Sequence, residues 1–218
     1  MTARIVTDDA DGRAAAIEVL RSGGVVALPT DTVYGIAVSL ETPGGVERLF
    51  EVKRRAPDKG IMLLLESVDQ APQIGVMTPA ATALGAACWP GGLTVVVPQR
   101  PDVPLPAVLT AGTATIGLRV PDHAAPGALA ARVGPLPTTS ANVSGVPEAG
   151  DAHEIEAQLG DVIELILDGG AAHGGPASTV VDCTGHRPTI LRVGAVPLER
   201  VIAILNAAGV PHDLVASD

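Results

Sequence analysis

Short apolar runs rich in β-branched residues alternate with longer stretches of helical character along the whole chain. The short runs predict seven strands, which lie at residues 25–28, 61–65, 93–97, 115–119, 162–167, 178–182 and 190–192. Strands that alternate with helices are typical of an α/β fold built around one sheet. Because the same pattern continues on both sides of the Pro- and Gly-rich stretches at 98–114 and 169–177, we expect one domain over residues 1–218.

Helix starts are marked by residues that cap helix N-termini or favour the first turn. These residues predict helices over 14–22 after Asp11, over 80–87 after Thr78 and Pro79, from Asp151 with Glu154 in the capping-box position, and from Pro197 to Ile204. The helices separate most of the predicted strands, which again favours an α/β arrangement.

The composition describes an acidic protein with few aromatic residues. The 218 residues include 14 Lys and Arg against 24 Asp and Glu, which gives a formal net charge of −10. Such a surface repels nucleic acid and anionic membranes except where its few cations gather. With one Phe, one Trp and one Tyr, the chain has little from which to build a surface for stacking RNA bases.

The N-terminus and the cysteines indicate a protein of the reducing cytoplasm. Residues 1–13 are polar and acidic, without the positive flank and apolar stretch of a secretion signal. Cys88 and Cys183 lie far apart and outside any CxxC pair, so they predict neither a disulfide framework nor a zinc site. The apolar runs are far shorter than the roughly 18 residues of a membrane span, so no membrane association is expected.

Cations gather in a short segment at the end of a predicted helix over 43–53. The segment holds five of the basic residues, Arg48, Lys53, Arg54, Arg55 and Lys59, and it contains all the lysine of the chain. In an acidic protein such a cluster indicates an anion-binding site. The alternative is a solvated helix end, because cations are favourable near a helix C-terminus. Charge alone leaves both interpretations open.

Three hydroxyl-rich segments lie at the ends of predicted strands, at residues 29–35, 138–145 and 176–180. Open α/β sheets commonly bind ligands at strand ends, where backbone amides and hydroxyls emerge. Pro, Thr, Ser and Asp also favour ordinary turns and caps, so each segment by itself is equally compatible with a local structural role. We therefore expect the second segment to be a turn that follows a strand.

Familiar nucleotide-binding motifs are missing from the sequence. It contains no phosphate loop of the GxxxxGKS or GxxxxGKT type, no GxGxxG turn and no protein-kinase set, so a common ATPase or dehydrogenase is not indicated. The five histidines are scattered in polar or Gly- and Pro-rich stretches. We expect them at the surface rather than in a metal site or as a catalytic base, namely His123, His153, His173, His186 and His212.

Seven sequence blocks, in one order, resemble those of the YrdC-type L-threonylcarbamoyladenylate synthases. The blocks are PTDTVYGI at 29–36, Lys53-x-Arg55-x-x-x-Lys59, PGGLTVV at 90–96, TIGLRVP at 115–121, TSANVSG at 139–145, STVVD at 178–182 and ILRVG at 190–194. They cover nearly the whole chain, and the ordered set is far more specific than any single block.

The resemblance implies a twisted, mostly mixed β-sheet flanked by helices, with a large concave cleft for ATP and L-threonine. It also implies a reaction in which bicarbonate joins the threonine amine and the carbamate takes AMP from ATP, with Mg²⁺ on the triphosphate and no dedicated metal ligands. A separate threonylcarbamoyl transferase complex would then modify tRNA. Contact between this chain and tRNA is thus expected to be indirect or weak.

The resemblance also implies roles for individual residues. The positions that match ATP contacts are Arg55, Lys59, Thr115, Ser140, Asn142, Glu148 and Arg192. The positions that match threonine contacts are Thr32, Leu64, Arg119, Thr138 and Ser178. Lys53, Arg55 and Lys59 are the expected catalytic residues, with Lys53 supporting the charge that develops as pyrophosphate leaves. A planar guanidinium can hold a carboxylate in two parallel hydrogen bonds, which suits Arg119 to the amino-acid carboxylate.

Three departures from the family pattern bear on these expectations. The family usually has proline where Ala56 and Gly60 stand, and a polar residue, commonly histidine, where Leu64 stands. Leu64 would remove one hydrogen bond to threonine, which keeps open a related enzyme that makes another carbamoyl-adenylate. A non-catalytic RNA-binding module is the second alternative. The chain ends at Asp218, and we expect no additional C-terminal domain.

Overall fold

The computed structural model describes residues 2–54, 60–172 and 175–215. The strands are β1 Arg4–Thr7, β2 Val26–Leu28, β3 Gly35–Ala37, β4 Met62–Leu64, β5 Leu93–Pro98, β6 Thr115–Arg119, β7 Leu136–Ser140, β8 Leu165–Asp168, β9 Thr179–Asp182 and β10 Thr189–Arg192. The helices are α1 Ala10–Arg21, α2 Gly45–Lys53, α3 Ala71–Ile74, α4 Pro79–Cys88, α5 Ala124–Val133, α6 Ala152–Leu159 and α7 Leu198–Ala207, with a 3-10 turn at Val68–Gln70.

All ten strands form one mixed sheet in the order β1-β8-β2-β3-β7-β4-β6-β5-β9-β10. The pairs β1 with β8, β2 with β8, β4 with β6, and β5 with β9 are parallel, and the other neighbours are antiparallel. The predicted α/β fold around one mixed sheet is therefore confirmed. Each of the seven predicted strands overlaps an observed one, although β8 begins at Leu165 instead of residue 162.

The two faces of the sheet carry two separate apolar clusters. Along β2, the side chain of Ala27 belongs to the larger cluster, whereas Val26 and Leu28 belong to the smaller one, as expected for alternating side chains. Helices α1 and α5 cover the smaller cluster with Leu20, Leu129 and other apolar residues. The larger cluster packs on α2, α4, α6 and α7.

The face that carries α1 and α5 is only partly covered by helices. The smaller apolar cluster contains residues of β2, β3, β4, β7 and β8. Among the described residues, it contains none from β5, β6, β9 or β10. On these last four strands the other face still packs into the core, for example through Leu93, Val95 and Leu118. The uncovered half of the face is where a ligand site has room to form.

Capping residues behave as predicted at most helix starts. Thr78 accepts a hydrogen bond from the Ala81 amide, and Asp151 accepts one from the Glu154 amide. The first helix is a correction, because it begins at Ala10 and its cap is Asp9, whose Oδ1 accepts from the Gly12 amide at 2.9 Å. Asp9 has the extended backbone that a cap needs, while Asp11 lies inside the first turn.

The second hydroxyl-rich segment is also a correction. The predicted turn begins inside a strand, because Thr138, Thr139 and Ser140 pair with β3 and β7 runs to Ser140.

Within the described ranges, none of the helices is long and apolar enough to cross a membrane.

Candidate functional site

A cleft of about 440 Å³ occupies the uncovered half of the sheet. One row of paired residues across four strands forms part of its floor: Thr138, Met62, Gly117 and Val96. A Cβ at Gly117 would lie 3.3 Å from Met62 Cβ and 3.4 Å from Thr94 Cγ2. Glycine therefore leaves space in the cleft between these two side chains. Loop residues and β10 form the rim, with Thr110, Thr113, Glu148, Ala177, Leu191 and Arg192.

Arg119 lines the cleft although only 1% of its surface is exposed. Its Nε donates to the Gly91 carbonyl at 3.0 Å, and its two terminal nitrogens donate to Thr32 Oγ1 at 3.0 Å and Asp31 Oδ1 at 2.6 Å. Burial lowers the pKa of Arg119, while the charge of Asp31 and its hydrogen bond oppose that shift. Of the five guanidinium N–H groups, two have no protein partner within the described residues.

Arg192 and Ser178 form a second polar group in the cleft. Arg192 Nε donates to the Ser178 carbonyl at 3.0 Å, and a terminal nitrogen donates to Ser178 Oγ at 3.2 Å. Ser178 Oγ also lies 2.9 Å from Thr94 Oγ1, beneath the cleft surface. The charge of Arg192 contributes to the lowered pKa of Arg119, which indicates that the two guanidinium groups share one electrostatic environment.

Lys53 supports the cleft from below. Its ammonium donates to the Ser140 carbonyl at 2.6 Å, to Ser140 Oγ at 2.8 Å and to Asn142 Oδ1 at 2.5 Å. The Asn142 amide nitrogen in turn donates to the Val146 carbonyl at 2.6 Å. Lys53 is only 3% exposed, so its ammonium is held among these partners. Its hydrogen bonds fix the end of β7 and the following turn, where Ser140 lines the cleft.

Comparison with known proteins settles the family. A family model described as "Telomere recombination", for the Sua5, YciO and YrdC proteins, matches residues 18–194. The chain belongs to the Sua5/YciO/YrdC family. The resemblance seen in the seven sequence blocks is thereby confirmed.

Curated relatives in the Sua5/YciO/YrdC family share about a third of their residues with this chain. The threonylcarbamoyl-AMP synthase of Bacillus subtilis is 34% identical over 203 residues, which are 92% of this chain and 58% of that protein. The Pyrococcus abyssi enzyme is 36% identical, over 86% of this chain and 55% of its own length. A putative threonylcarbamoyl-AMP synthase of Mycobacterium tuberculosis is 36% identical, over 89% of both chains. The chain thus spans little more than half the length of the first two relatives.

Solved structures of the Sua5/YciO/YrdC family have the same fold. The Pyrococcus abyssi Sua5 structure complexed with L-threonine has a TM-score of 0.86 at 32% identity, over 94% of this chain and 61% of that one. The E. coli YciO structure has a TM-score of 0.81 at 24% identity, over 92% and 98% of the two chains. At that lower identity the likeness supports the fold alone.

Seven of the residues assigned from the family resemblance meet in the cleft. They are Thr115, Ser140, Glu148 and Arg192 from the ATP set, and Arg119, Thr138 and Ser178 from the threonine set. Thr32 lies directly behind them, since its hydroxyl accepts from Arg119. Two expected catalytic residues, Arg55 and Lys59, lie outside the described residues.

Leu64 is a correction. It is 0% exposed and belongs to the apolar cluster under α1 and α5, one pleat beyond Met62. The side chain that lines the cleft from β4 is that of Met62. Leu64 is therefore not among the side chains that line the cleft.

Lys53, Asn142 and the Arg119 fork also differ from expectation. Lys53 and Asn142 bond to each other and to the β7 turn, and neither lines the cleft. Arg119 already uses both terminal nitrogens on Thr32 and Asp31, so a carboxylate would meet only its remaining N–H groups. Lys53 and Asn142 thus hold the turn after β7, while Arg119 keeps two N–H groups for a ligand.

Sequence reasoning missed the residues that hold this site from behind. Asp31, Tyr34 and Thr94 all fall inside the recognised blocks, but a block shows only that a segment matters. The period-2 alternation of β5 is the signal that places Thr94 and Val96 on the face opposite Leu93 and Val95.

Proposed function

We propose that this chain is an L-threonylcarbamoyladenylate synthase, which uses L-threonine, bicarbonate and ATP. The observation that carries the proposal is a single cleft containing two guanidinium groups, one buried at Arg119 and one at the rim at Arg192. A zwitterionic amino acid and a nucleotide phosphate both need such cationic partners. The support from outside the chain is the name of the curated relatives and the L-threonine in the Pyrococcus abyssi structure.

The proposed threonine site is built around Arg119. The two N–H groups not used by Thr32, Asp31 and Gly91 would donate to the substrate carboxylate, and burial would strengthen that ionic hydrogen bond. Ser178 supplies a hydroxyl oxygen beside this position. Thr138 donates its own proton to the Leu136 carbonyl, so its hydroxyl offers the cleft a lone pair.

The proposed ATP site lies toward Arg192 and the turn after β7. Arg192 would contact phosphate together with Arg55 and Lys59, while Thr115, Ser140 and Glu148 supply hydroxyl and carboxylate oxygens for the nucleotide. Among the residues described, none form a group of three or more His, Cys, Asp or Glu side chains arranged to hold a metal ion. We propose that Mg²⁺ enters with ATP, because this ion is commonly held by substrate phosphates and water with few protein ligands.

In the proposed reaction the neutral threonine amine attacks the carbon of bicarbonate, and water leaves as the carbamate forms. A carbamate oxygen then attacks the α-phosphorus of ATP, and pyrophosphate leaves as threonylcarbamoyl-AMP forms. No covalent enzyme intermediate is needed, so the chain contributes positioning and electrostatic stabilisation. A separate transferase complex would deliver the product to tRNA in the cytoplasm.

Pyrophosphate release tests the proposal. The reaction contains ATP, Mg²⁺ and bicarbonate, with L-threonine compared against L-serine, other amino acids and no amino acid, and tRNA is left out. We expect release that requires both L-threonine and bicarbonate. Release with another amine in place of L-threonine would indicate a related carbamoyl-adenylate synthase. Salt-sensitive tRNA binding without any turnover would indicate an RNA-binding module.

A further inference from the structure

Thr94 lies under the cleft in contact with a residue of the proposed threonine site. It belongs to β5, is 2% exposed, and lines the cleft floor. Its hydroxyl lies 2.9 Å from Ser178 Oγ and 3.4 Å from Met62 Sδ. Neither Thr94 nor Met62 belongs to the residues assigned to substrate.

The chemistry of the thioether fixes the direction of the protons in this group. A methionine sulfur has no proton and only accepts, so Thr94 donates its proton to Met62 Sδ. The hydrogen bond between Thr94 and Ser178 must then be donated by Ser178. Arg192 donates to Ser178 Oγ from the other side at 3.2 Å. The protons therefore run from Arg192 to Ser178, from Ser178 to Thr94, and from Thr94 to Met62.

This order leaves the Ser178 hydroxyl able to form one further hydrogen bond. A serine hydroxyl has one proton and two lone pairs. The proton is used by Thr94 and one lone pair is used by Arg192. Ser178 therefore presents only a lone pair to the cleft, and it favours a substrate group that donates a hydrogen bond.

We propose that Thr94 is a positioning residue that makes Ser178 a hydrogen-bond acceptor for the amino-acid substrate. The inference rests on the proposed function, because it takes the ligand of this part of the cleft to be an α-amino acid held by Arg119. L-Threonine carries two donors, its ammonium and its hydroxyl. A cleft that offers acceptors at Ser178 and Thr138 beside a buried guanidinium matches a zwitterion of this kind.

Replacing Thr94 by valine or by serine tests the proposal. Thr94→Val keeps the shape of the side chain and removes the hydroxyl, which frees the Ser178 proton to turn toward the substrate donors. Thr94→Ser keeps the hydroxyl and serves as the matched control. By calorimetry we expect L-threonine to bind about tenfold more weakly to Thr94→Val and within about twofold of wild type to Thr94→Ser. The affinity for ATP should stay within about twofold in both.

A double-mutant cycle shows whether Thr94 acts through Ser178. If it does, Thr94→Val should cause no further loss of L-threonine affinity in a Ser178→Ala background. Two losses that multiply would overturn the proposal, and so would equal affinities for Thr94→Val and Thr94→Ser. Met62→Leu, which removes the sulfur acceptor and keeps an apolar side chain, provides a second variant and should weaken L-threonine binding about threefold.

The same measurement with L-2-aminobutyrate identifies the donor. This amino acid lacks the hydroxyl and keeps the ammonium, so a Thr94→Val penalty that persists assigns the ammonium to Ser178, and a penalty that disappears assigns the hydroxyl. Wild-type protein that binds L-threonine but releases no pyrophosphate would refute the proposed reaction and leave this inference intact. Wild-type protein that does not bind L-threonine would overturn the inference itself.

Discussion

At the residue scale, Arg119 shows how a buried cation is kept available for a ligand. Taking a guanidinium out of water is costly, and the pKa of Arg119 is lowered by burial despite its anionic partner. Asp31 compensates part of this cost through an ion pair at 2.6 Å and is itself mostly buried. The stability of the fold and the charge of the cleft therefore depend on the same contact.

Asp31→Asn should lower the free energy of unfolding by about 2 kcal/mol, because it leaves a buried guanidinium without its counter-charge while keeping a hydrogen-bond acceptor. Urea unfolding measures the change. The matched control is Asp102→Asn, which breaks the exposed ion pair with Arg100 and should cause no measurable loss. Equal effects at the two sites would show that Asp31 is not needed to neutralise Arg119.

Lys53 offers a second prediction, because three of its hydrogen bonds go to the end of β7 and the turn that follows it. Lys53→Met should cost about 2 kcal/mol of stability, because it removes the charged hydrogen bonds that join α2 to Ser140 and Asn142. It should also raise the KM for ATP more than the KM for L-threonine, since Ser140 belongs to the proposed ATP site. Urea unfolding and steady-state kinetics measure the two effects. A lower kcat at unchanged stability would instead show direct contact between Lys53 and the reacting groups.

At the element scale, Tyr34 ties together the loops that border the cleft. Its hydroxyl donates to the Gly170 carbonyl at 2.6 Å and accepts from the Gly169 amide at 3.0 Å, and both residues follow β8. Two residues later the Ala172 amide donates to the Gly150 carbonyl at 2.7 Å, in the loop that carries Glu148 into the cleft. One buried hydroxyl thus influences the position of two loops.

Tyr34→Phe removes only that hydroxyl and should loosen the connection between the loops. We expect faster hydrogen exchange at the Gly169 and Ala172 amides and a KM for ATP raised about threefold to tenfold, with the secondary structure unchanged. Trp89→Phe is the control, because it also removes a buried aromatic hydrogen bond, to the Leu93 carbonyl, away from these loops. Unchanged exchange at Gly169 in Tyr34→Phe would contradict the connection.

The elements that the sequence predicted well are those with an unambiguous apolar pattern. Leu93–Pro98 and Thr115–Arg119 are continuous β-branched or alternating runs, and both were expected within one residue. Strands β1, β3 and β7 are not among the seven predicted strands, because they are short or, in β7, rich in Pro and hydroxyl residues that also favour turns. Helix α5, with Pro126 and Gly127 near its start, lacks the contrast between apolar and polar positions that identifies a helix.

The residues of the site were easier to predict than their roles. Sequence blocks locate Arg119, Ser178 and Arg192, and the structure brings them into one cleft. The contacts behind them depend on which strands are neighbours, and strand order cannot be read from local periodicity. The prediction that Leu64 contacts threonine is wrong for the same reason. Only the position of α5 in the fold shows that the Leu64 side chain is buried in the apolar cluster under α1 and α5.

At the scale of the whole molecule, the buried thiol of Cys183 links folding to pH. Burial raises the pKa of Cys183 from its ordinary value of 9.0 to about 12, and the neighbouring charge of Asp182 acts in the same direction. Below about pH 9 the thiol is protonated in both the folded and the unfolded chain, and its full contribution to the free energy of unfolding is present. Above that value the unfolded chain loses the proton first, so stability falls as the pH rises toward 12.

The unfolding free energy should therefore decrease between about pH 9 and about pH 11 by up to about 1.4 kcal/mol per pH unit from this group. Cys183→Ala removes the group and should flatten the slope over the same interval. Urea unfolding at several pH values measures both slopes, and the comparison of slopes cancels the fixed cost of the smaller side chain. Identical slopes for the two proteins would show that Cys183 does not titrate differently on unfolding.

The cleft floor and the protein core are opposite faces of the same strands. On β5 and β6, each step of one residue moves a substitution from the interior, where it affects folding, to the cleft, where it affects ligand choice. Positions such as Thr94 and Val96 can therefore vary almost independently of Leu93 and Val95. In such a sheet, substitutions at every second residue can change which ligand the cleft binds during evolution, while the residues between them preserve the fold.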